Sequence, residues 1–312
     1  MSASPPPASA DSHGALPPLE DMLPPAPVWR AELALVAITV LWGATFLIVH
    51  NAMKVSGPLF FVGLRFGVAS LLTLPLLWRG LRGVTLRELV AGGSVGAMIA
   101  IGYGLQTWGL KTIPSSTSAF ITAAYVPLVP LLQWVALRSP PGLMRWVGVV
   151  LAFIGLVLIA RPDQPLGLGT GEILTLVSTF AIAVEIILIS LWAGRVDMKR
   201  VTLVQLASAS LLSFLCMPLA GEGVPHFSWL LAASACGLGA MSALIQLVMN
   251  WAQQRVSATR ATLIYALEPV WAGVVGALAG EALGIGAIAG AGLIIAGVVV
   301  SQFGNKGAAP GH

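Results

Sequence analysis

The sequence predicts an all-α integral membrane protein with ten transmembrane helices in two inverted five-helix repeats, and with both termini in the cytoplasm. Three observations carry this prediction: composition, the lengths of the apolar stretches, and the distribution of basic residues. Apolar residues make up 57% of the 312 residues and charged residues only 9%, whereas about 25% of an ordinary soluble domain is charged. Because a soluble globule needs more charge than this to cover its surface, the composition excludes a water-soluble enzyme.

The first element is a tail, residues 1–30, which holds eight prolines and almost no apolar periodicity. Polar, proline-rich sequence buries too little surface to fold, so we predict that this tail is disordered. Ten apolar stretches follow, and a helix needs about 20 such residues to cross a bilayer. Each is predicted to be helical, because open strands would leave backbone groups unsatisfied in lipid. The predicted spans are 33–53, 58–79, 88–110, 116–137, 142–160, 170–192, 201–220, 227–251, 257–279 and 283–303. Residues 304–312 are predicted to form a second cytoplasmic tail.

The basic residues predict the orientation. With the N-terminus in the cytoplasm, twelve of the sixteen Lys and Arg residues fall in inside loops and tails, three fall in outside loops, and Arg65 lies within a span. An excess of this kind in short loops follows the positive-inside rule. An extra or missing helix would destroy the alternation.

An internal repeat relates the two halves, predicted to be residues 31–162 and 163–303. A shift of 142 positions places Pro127 on Pro269, and it also superimposes three pairs of glycines: Gly142 on Gly284, Gly148 on Gly290, and Gly155 on Gly297. Because each half holds an odd number of spans, the second half is inverted in the membrane. This architecture suits alternating access around a site at the midplane. The glycine-rich fifth and tenth spans are expected to support the path from outside.

The sequence also resembles the EamA family of the drug/metabolite transporter superfamily over residues 33–303. The resemblance rests on Leu267-Glu268-Pro269-Val270-Trp271-Ala272, Gly280-Glu281, Gly290 and Gly297 near the end, and on Leu41-Trp42-Gly43 and Arg65 near the start. The first half departs from the pattern at Ser139, where the second half has Glu281.

Independently of the span count, the resemblance implies ten helices in two inverted halves and export of small metabolites across a bacterial inner membrane. Amino acids, including aromatic ones, are the first substrate class, since length and tail are most similar to exporters of the YddG type. Drugs or nucleotide-related solutes are the alternative within the same fold.

Three ionisable residues lie inside predicted spans, where such groups are costly and mark candidate sites. Glu268 is placed near the midplane, before Pro269, which frees the backbone carbonyl of Tyr265. It is interpreted either as a gate or proton site or as a fixed hydrogen-bonding group. Glu185 is expected roughly 10 Å from the cytoplasmic end of its helix, with partial solvation from that side. For Arg65 three alternatives stay open. Its side chain extends outward to the membrane surface, it binds a structural partner, or it receives a substrate carboxylate.

Uncharged polar residues recur at three- and four-residue steps on single helix faces in three spans. Lipid penalises such faces, so they are predicted to point into the bundle and to form a substrate cavity, with bonding between helices as the alternative. The predicted substrate path comprises Trp42, Arg65, Tyr103, Gln106, Thr122, Tyr125, Glu185, Ser242, Gln246, Asn250, Tyr265 and Glu268, with helix breaks at Pro127 and Pro269.

Motifs for other functions are weak. The run Gly92-Gly93-Ser94-Val95-Gly96 fits a serine-nucleophile pattern, but that pattern needs a strand-to-helix turn, and this run lies in a span. An intramembrane enzyme is therefore the disfavoured alternative, and the same glycines fit close helix packing. No metal, cofactor or nucleic acid is expected. The expected partners are a small-molecule substrate, the lipid bilayer and protons.

Overall fold

The computed structural model describes residues 27–43, 45–78, 83–138, 140–160, 169–271, 274 and 285–303, and these ranges contain helices and no strands. Residues 1–26 of the predicted N-terminal tail, the predicted tail 304–312 and the residues Ser139, Gly280, Glu281 and Gly284 lie outside these ranges. The prediction of disorder is wrong for residues 28–30, which are helical. The helices are α1 (Val28–Gly43), α2 (Thr45–Ala52), α3 (Pro58–Leu77), α4 (Leu86–Gly109), α5 (Ser115–Thr122), α6 (Tyr125–Leu137), α7 (Leu143–Ala160), α8 (Thr170–Trp192), α9 (Met198–Cys216), α10 (Trp229–Ala252), α11 (Ala258–Tyr265) and α12 (Ile285–Phe303). A 3₁₀ turn, Pro218–Ala220, follows α9.

Seven helical stretches in the described part of the chain are long and apolar enough to cross a membrane. Three predicted spans are not among them, each for a physical reason. The apolar part of α7, Leu143–Ile159, is too short; α9 carries Lys199, Arg200 and Gln205 along its length; and the ninth span continues beyond the described residues. The first helix begins at Val28, five residues before the predicted span, because Val28 and Trp29 extend its apolar surface.

Capping side chains fix the helix ends and tie neighbouring helices together. Thr85 and Glu88 form a capping box at the start of α4. The Glu88 carboxylate also lies 3.4 Å from Arg200 of α9 and accepts from the Asp197 backbone N–H. At the opposite end, the Glu222 carboxylate accepts from the backbone N–H groups of Leu59 and Phe60, at 3.0 and 3.1 Å. Each carboxylate therefore satisfies donors that a helix start leaves free.

Helices α7 and α12 cross antiparallel through two pairs of glycines. A Cβ on Gly148 would lie 2.6 Å from the Gly297 carbonyl oxygen, and one on Gly155 would lie 2.5 Å from that of Gly290. The 142-residue repeat maps Gly148 onto Gly290 and Gly155 onto Gly297. It therefore converts the Gly148–Gly297 contact into the Gly155–Gly290 contact, and the reverse. This is the geometry expected of two equivalent helices related by a two-fold axis.

The remaining helices pack mainly between the halves. Helix α4 packs on α8 and α9, and α3 packs on α9 and α10. Gly96 of α4 makes one of these contacts possible, since a Cβ there would lie 2.5 Å from the Gln205 carbonyl oxygen. The main hydrophobic core lies where the halves meet and includes Leu35, Phe66, Ile99 and Tyr265.

Candidate functional site

A cavity lies at the centre of this interface, between α1, α2, α4, α5, α6, α8, α10 and the chain after α11. Its walls are formed by Trp42, Thr45, Phe46, Tyr103, Gln106, Thr122, Tyr125, Ile182, Glu185, Ile186, Met249 and Glu268. The cavity has a volume of about 30 Å³. This conformation therefore has room for water molecules, and a larger ligand requires the helices to separate.

Helix breaks bring backbone turns to the cavity. Helix α5 ends at Thr122, a turn occupies residues 123–124, and α6 begins at Tyr125, two residues before Pro127. Helix α11 ends at Tyr265, a turn occupies residues 266–267, and residues 268–271 are helical again. A shift of 142 residues places the first turn at 265–266, within one residue of the second. Proline cannot donate to the preceding turn, which explains why the helical bonding stops here.

Glu268 is the first residue after the second break, and its side chain lines the cavity. Among the residues that the structure describes, it makes no hydrogen bond and no ion pair. A carboxylate in this position is available to a ligand or to a proton.

Glu185, in the middle of α8, is the second acid of the cavity. It is only 2% exposed, so the partial solvation predicted for it is not observed. The reason is the packing of α4, α5 and α6 against α8. Its carboxylate accepts a hydrogen bond of 2.9 Å from the Gln246 amide nitrogen.

Gln246 begins a chain of buried amides that runs away from the cavity. Gln205 donates to the Gln246 oxygen at 2.7 Å, and Asn250 donates to Gln205 at 3.0 Å and to the Thr202 hydroxyl at 2.6 Å. These side chains are at most 1% exposed. The chain joins α8, α9 and α10 and runs from the cavity towards the end of the bundle where α9 begins.

Arg65 is held behind the cavity wall. It is 3% exposed, so it does not extend outward as one of the predicted alternatives had it. Its Nε donates to the Ser242 hydroxyl at 2.7 Å, and its guanidinium lies over the rings of Tyr103 and Phe66, 5.1 and 5.4 Å from their centroids. Cation–π contacts and one hydrogen bond thus stabilise this buried charge.

Other predicted residues support the walls. Gln106 donates to the Thr122 hydroxyl at 3.0 Å. Tyr265 is fully buried, packs edge-on against Trp42 with ring centroids 5.3 Å apart, and accepts from Gln253 at 3.1 Å. These contacts hold the polar groups of the wall in fixed orientations.

The structure thus brings seven of the twelve predicted path residues to the cavity, and the other five lie behind it. The five are Arg65, Ser242, Gln246, Asn250 and Tyr265. Sequence reasoning missed Thr45, Phe46, Ile182, Ile186 and Met249. Four of these are apolar, and an apolar residue in a membrane span carries no signal that separates a cavity wall from a lipid-facing surface.

Polar contacts close the bundle at the end where α1 begins. Arg260 of α11 pairs with Glu32 of α1. The Gln133 amide oxygen, on α6, accepts from the backbone N–H and the hydroxyl of Thr259, at 3.0 and 2.8 Å. These contacts join the two halves at this end of the bundle.

Comparison with known proteins agrees with this architecture. A model of the EamA-like transporter family matches the chain twice, over residues 29–161 and again over residues 169–303. The chain belongs to the EamA-like transporter family. It is therefore a multi-pass membrane transporter, and each match covers one of the two halves.

Several curated relatives span most of the chain. An uncharacterized transporter of Archaeoglobus fulgidus is 27% identical over 245 residues, which is 78% of this chain and 75% of the relative. The uncharacterized inner membrane transporter YedA of Escherichia coli K12 is 28% identical over 292 residues, covering 87% of this chain and 90% of its own. YoaV, an uncharacterized transporter of Bacillus subtilis, is 22% identical over 285 residues and covers 88% and 97%.

A solved crystal structure shares the fold. It superimposes with a TM-score of 0.73 over 90% of this chain and 100% of its own, at 17% sequence identity. At this identity the likeness shows the architecture alone.

Proposed function

We propose that this EamA-family member is a secondary transporter that exports small metabolites, amino acids first and aromatic ones among them, by alternating access. The observation that carries the proposal is the cavity between two equivalent halves, whose wall combines aromatic and apolar side chains with a few polar ones. A site at the interface of inverted repeats is the arrangement in which rocking of the halves exposes one ligand to either side of the membrane. The aromatic and amide groups of the wall suit a small, partly apolar solute.

The proposed topology has ten helices, with residues 31–162 and 163–303 as the inverted halves and both tails in the cytoplasm. The excess of Lys and Arg in alternate loops supports this orientation. The proposed location is the bacterial inner membrane, supported by the name of the Escherichia coli relative YedA. In this orientation the end where α1 and α9 begin faces the cytoplasm.

Transport in proteoliposomes tests the proposal. Purified full-length protein is reconstituted into liposomes, and uptake of a panel of radiolabelled amino acids is measured with protein-free liposomes as the control. Counterflow is measured in addition, in proteoliposomes that are preloaded with the unlabelled amino acid. Saturable, counterflow-stimulated uptake of at least one amino acid is expected. Absence of flux for every member of the panel would refute the substrate class.

Protons are the proposed coupling partner, with Glu268 as the residue that binds them. Its carboxyl faces the cavity without a hydrogen bond among the described residues, so a proton can bind there without breaking an existing contact. Uptake is expected to respond to an imposed pH gradient in the wild-type protein and to lose that response in Glu268→Gln. Equal responses would remove Glu268 from coupling and indicate a facilitated carrier.

A further inference from the structure

The ionisable side chains that line the cavity include two carboxylic acids and, among the described residues, no basic group. Two carboxylates, Glu185 and Glu268, line it, and no Lys, Arg or His does so among the described residues. Glu268 has no polar partner in that part of the chain, and Glu185 has one neutral donor, Gln246. Neither acid therefore has a cation in contact.

The nearest buried cation does not supply one. Arg65 directs its Nε to Ser242 and lies over the Tyr103 ring, which itself forms the cavity wall. The ring thus presents one face to Arg65 while the same side chain borders the cavity. A carboxylate buried without a counter-charge is costly, so a ligand that brings a positive group relieves the cost.

Aromatic rings complete the walls. Trp42, Phe46, Tyr103 and Tyr125 all border the same space. Ring faces attract cations, and this attraction grows when both groups are removed from water. Acids and rings together form the environment that recognises an organic ammonium group.

We infer that the central cavity is an ammonium-binding site, formed by the Glu185 and Glu268 carboxylates and the surrounding aromatic rings, and that it selects organic amines over carboxylate anions. This inference rests on the proposed function and names the chemical class of its substrate. The cavity holds an amino acid by its ammonium end. The carboxylate of a zwitterion finds no cation in the wall, so amines whose carboxylate is absent or esterified bind more tightly than the parent amino acid.

A ligand series that shares one phenyl ring and differs in charge tests the inference. Phenylethylamine and phenylalanine methyl ester are cations, phenylalanine is a zwitterion, and phenylpropanoate is an anion. Binding to full-length protein in lipid nanodiscs is measured by calorimetry and by the shift of the unfolding temperature. We expect both cations to bind about tenfold more tightly than the zwitterion, because leaving the carboxylate of the zwitterion without a partner corresponds to at least about that ratio. The anion is expected to bind most weakly, since it has no ammonium group.

Three variants of the cavity wall and one control locate the effect. Glu268→Gln and Glu185→Gln remove one carboxylate each with little change of shape, and each is expected to weaken phenylethylamine binding about tenfold. Glu172→Gln is the matched control, since Glu172 lies in the first turn of α8 and about 20 Å along the helix from Glu185. Its affinity for every ligand is expected to equal that of the wild type. Trp42→Leu keeps both acids and is expected to weaken the three ligands that carry an ammonium group more than phenylpropanoate.

Equal affinities for cations and anion, tighter binding of the zwitterion than of its ester, or no binding by any of the four would overturn the inference. So would an unchanged amine affinity in both Glu→Gln variants. If amino acids are carried in proteoliposomes while the series shows no preference for cations, the ammonium site fails and the transporter stands. If the series follows the expected order while no amino acid is carried, the proposed function fails and the site stands.

Discussion

Arg65 is a buried cation whose stability depends on a few neutral neighbours. Ser242 accepts from its Nε at 2.7 Å, and the rings of Tyr103 and Phe66 lie against its guanidinium. When a buried charged group loses a hydrogen-bond partner, it has neither water nor protein to bond with, and this lowers the free energy of unfolding. The arrangement therefore makes Ser242 a structural requirement for Arg65.

Replacing Ser242 by Ala is expected to lower the free energy of unfolding by about 1–3 kcal/mol, because the Arg65 Nε is then left without an acceptor. The matched control is Ser94→Ala, since the Ser94 hydroxyl donates only to the Ala91 carbonyl oxygen of its own helix. Unfolding of both variants is followed in detergent by circular dichroism. Equal stabilities would contradict this account of Arg65.

At the residue scale, sequence reasoning predicted both acids and most polar residues of the cavity wall, and it missed Thr45 and four apolar residues. Glu268, Glu185 and Gln106 were identifiable because lipid penalises such groups, so each must have an interior role. Phe46 and Ile186 face the cavity, but the same residue types also face lipid and neighbouring helices. Arg65 has a flexible stem that can reach several environments, so only the packing of Tyr103 and Ser242 decides its position.

The crossing of α7 and α12 shows what glycine does at the scale of helices. The backbones of these two helices touch at Gly148–Gly297 and at Gly155–Gly290, where any side chain would meet a carbonyl oxygen. Small residues at such positions let helices approach closely and gain van der Waals contact in a medium where burial of apolar surface contributes little.

Gly155→Ala is expected to lower the free energy of unfolding by about 1–3 kcal/mol, because the added methyl group forces the two backbones apart. Gly292→Ala, on α12, is the control, since a Cβ there has no atom within 4 Å. The unfolding temperatures of the two variants are compared with that of the wild type. A Gly155→Ala protein as stable as Gly292→Ala would show that this crossing tolerates a side chain.

The amide chain joins three helices, and its strength is measurable as a coupling. Gln205 and Gln246 share a hydrogen bond of 2.7 Å between fully buried side chains. In a double-mutant cycle of Gln205→Leu and Gln246→Leu, the interaction energy is expected to be about 0.6–1.7 kcal/mol, the range found for hydrogen bonds between membrane helices. Additive effects of the two substitutions would mean that the bond does not stabilise the fold.

Helix positions were predictable because a bilayer fixes the length of an apolar helix. The predicted span 170–192 coincides with α8, and 58–79 differs from α3 by two residues at one end. The breaks within spans were predicted at Pro127 and Pro269, whereas the turns lie at residues 123–124 and 266–267. A proline disrupts the bonding of the preceding turn, so the break falls before the proline itself.

At the scale of the whole molecule, the proposed topology makes a prediction about its two ends. An even number of spans places both termini on one side, and the basic loops predict that this side is the cytoplasm. Green fluorescent protein fused to either end is expected to be fluorescent, and alkaline phosphatase fused to either end is expected to be inactive. Phosphatase activity at one end alone would require an odd number of spans and would contradict two equivalent halves.

The central claim is that the cavity between the halves is reached by water from each side of the membrane in turn. Thr45 lines this cavity, whereas Ala152 is fully buried at the crossing of α7 and α12. Each is replaced by Cys in a protein whose exposed native cysteines, Cys216 and Cys236, are changed to Ser. A membrane-impermeant thiol reagent is then applied to right-side-out and to inside-out vesicles. We predict that Thr45→Cys is labelled in both preparations and Ala152→Cys in neither, whereas labelling of Thr45→Cys in only one preparation, or in none, would contradict alternating access through this cavity.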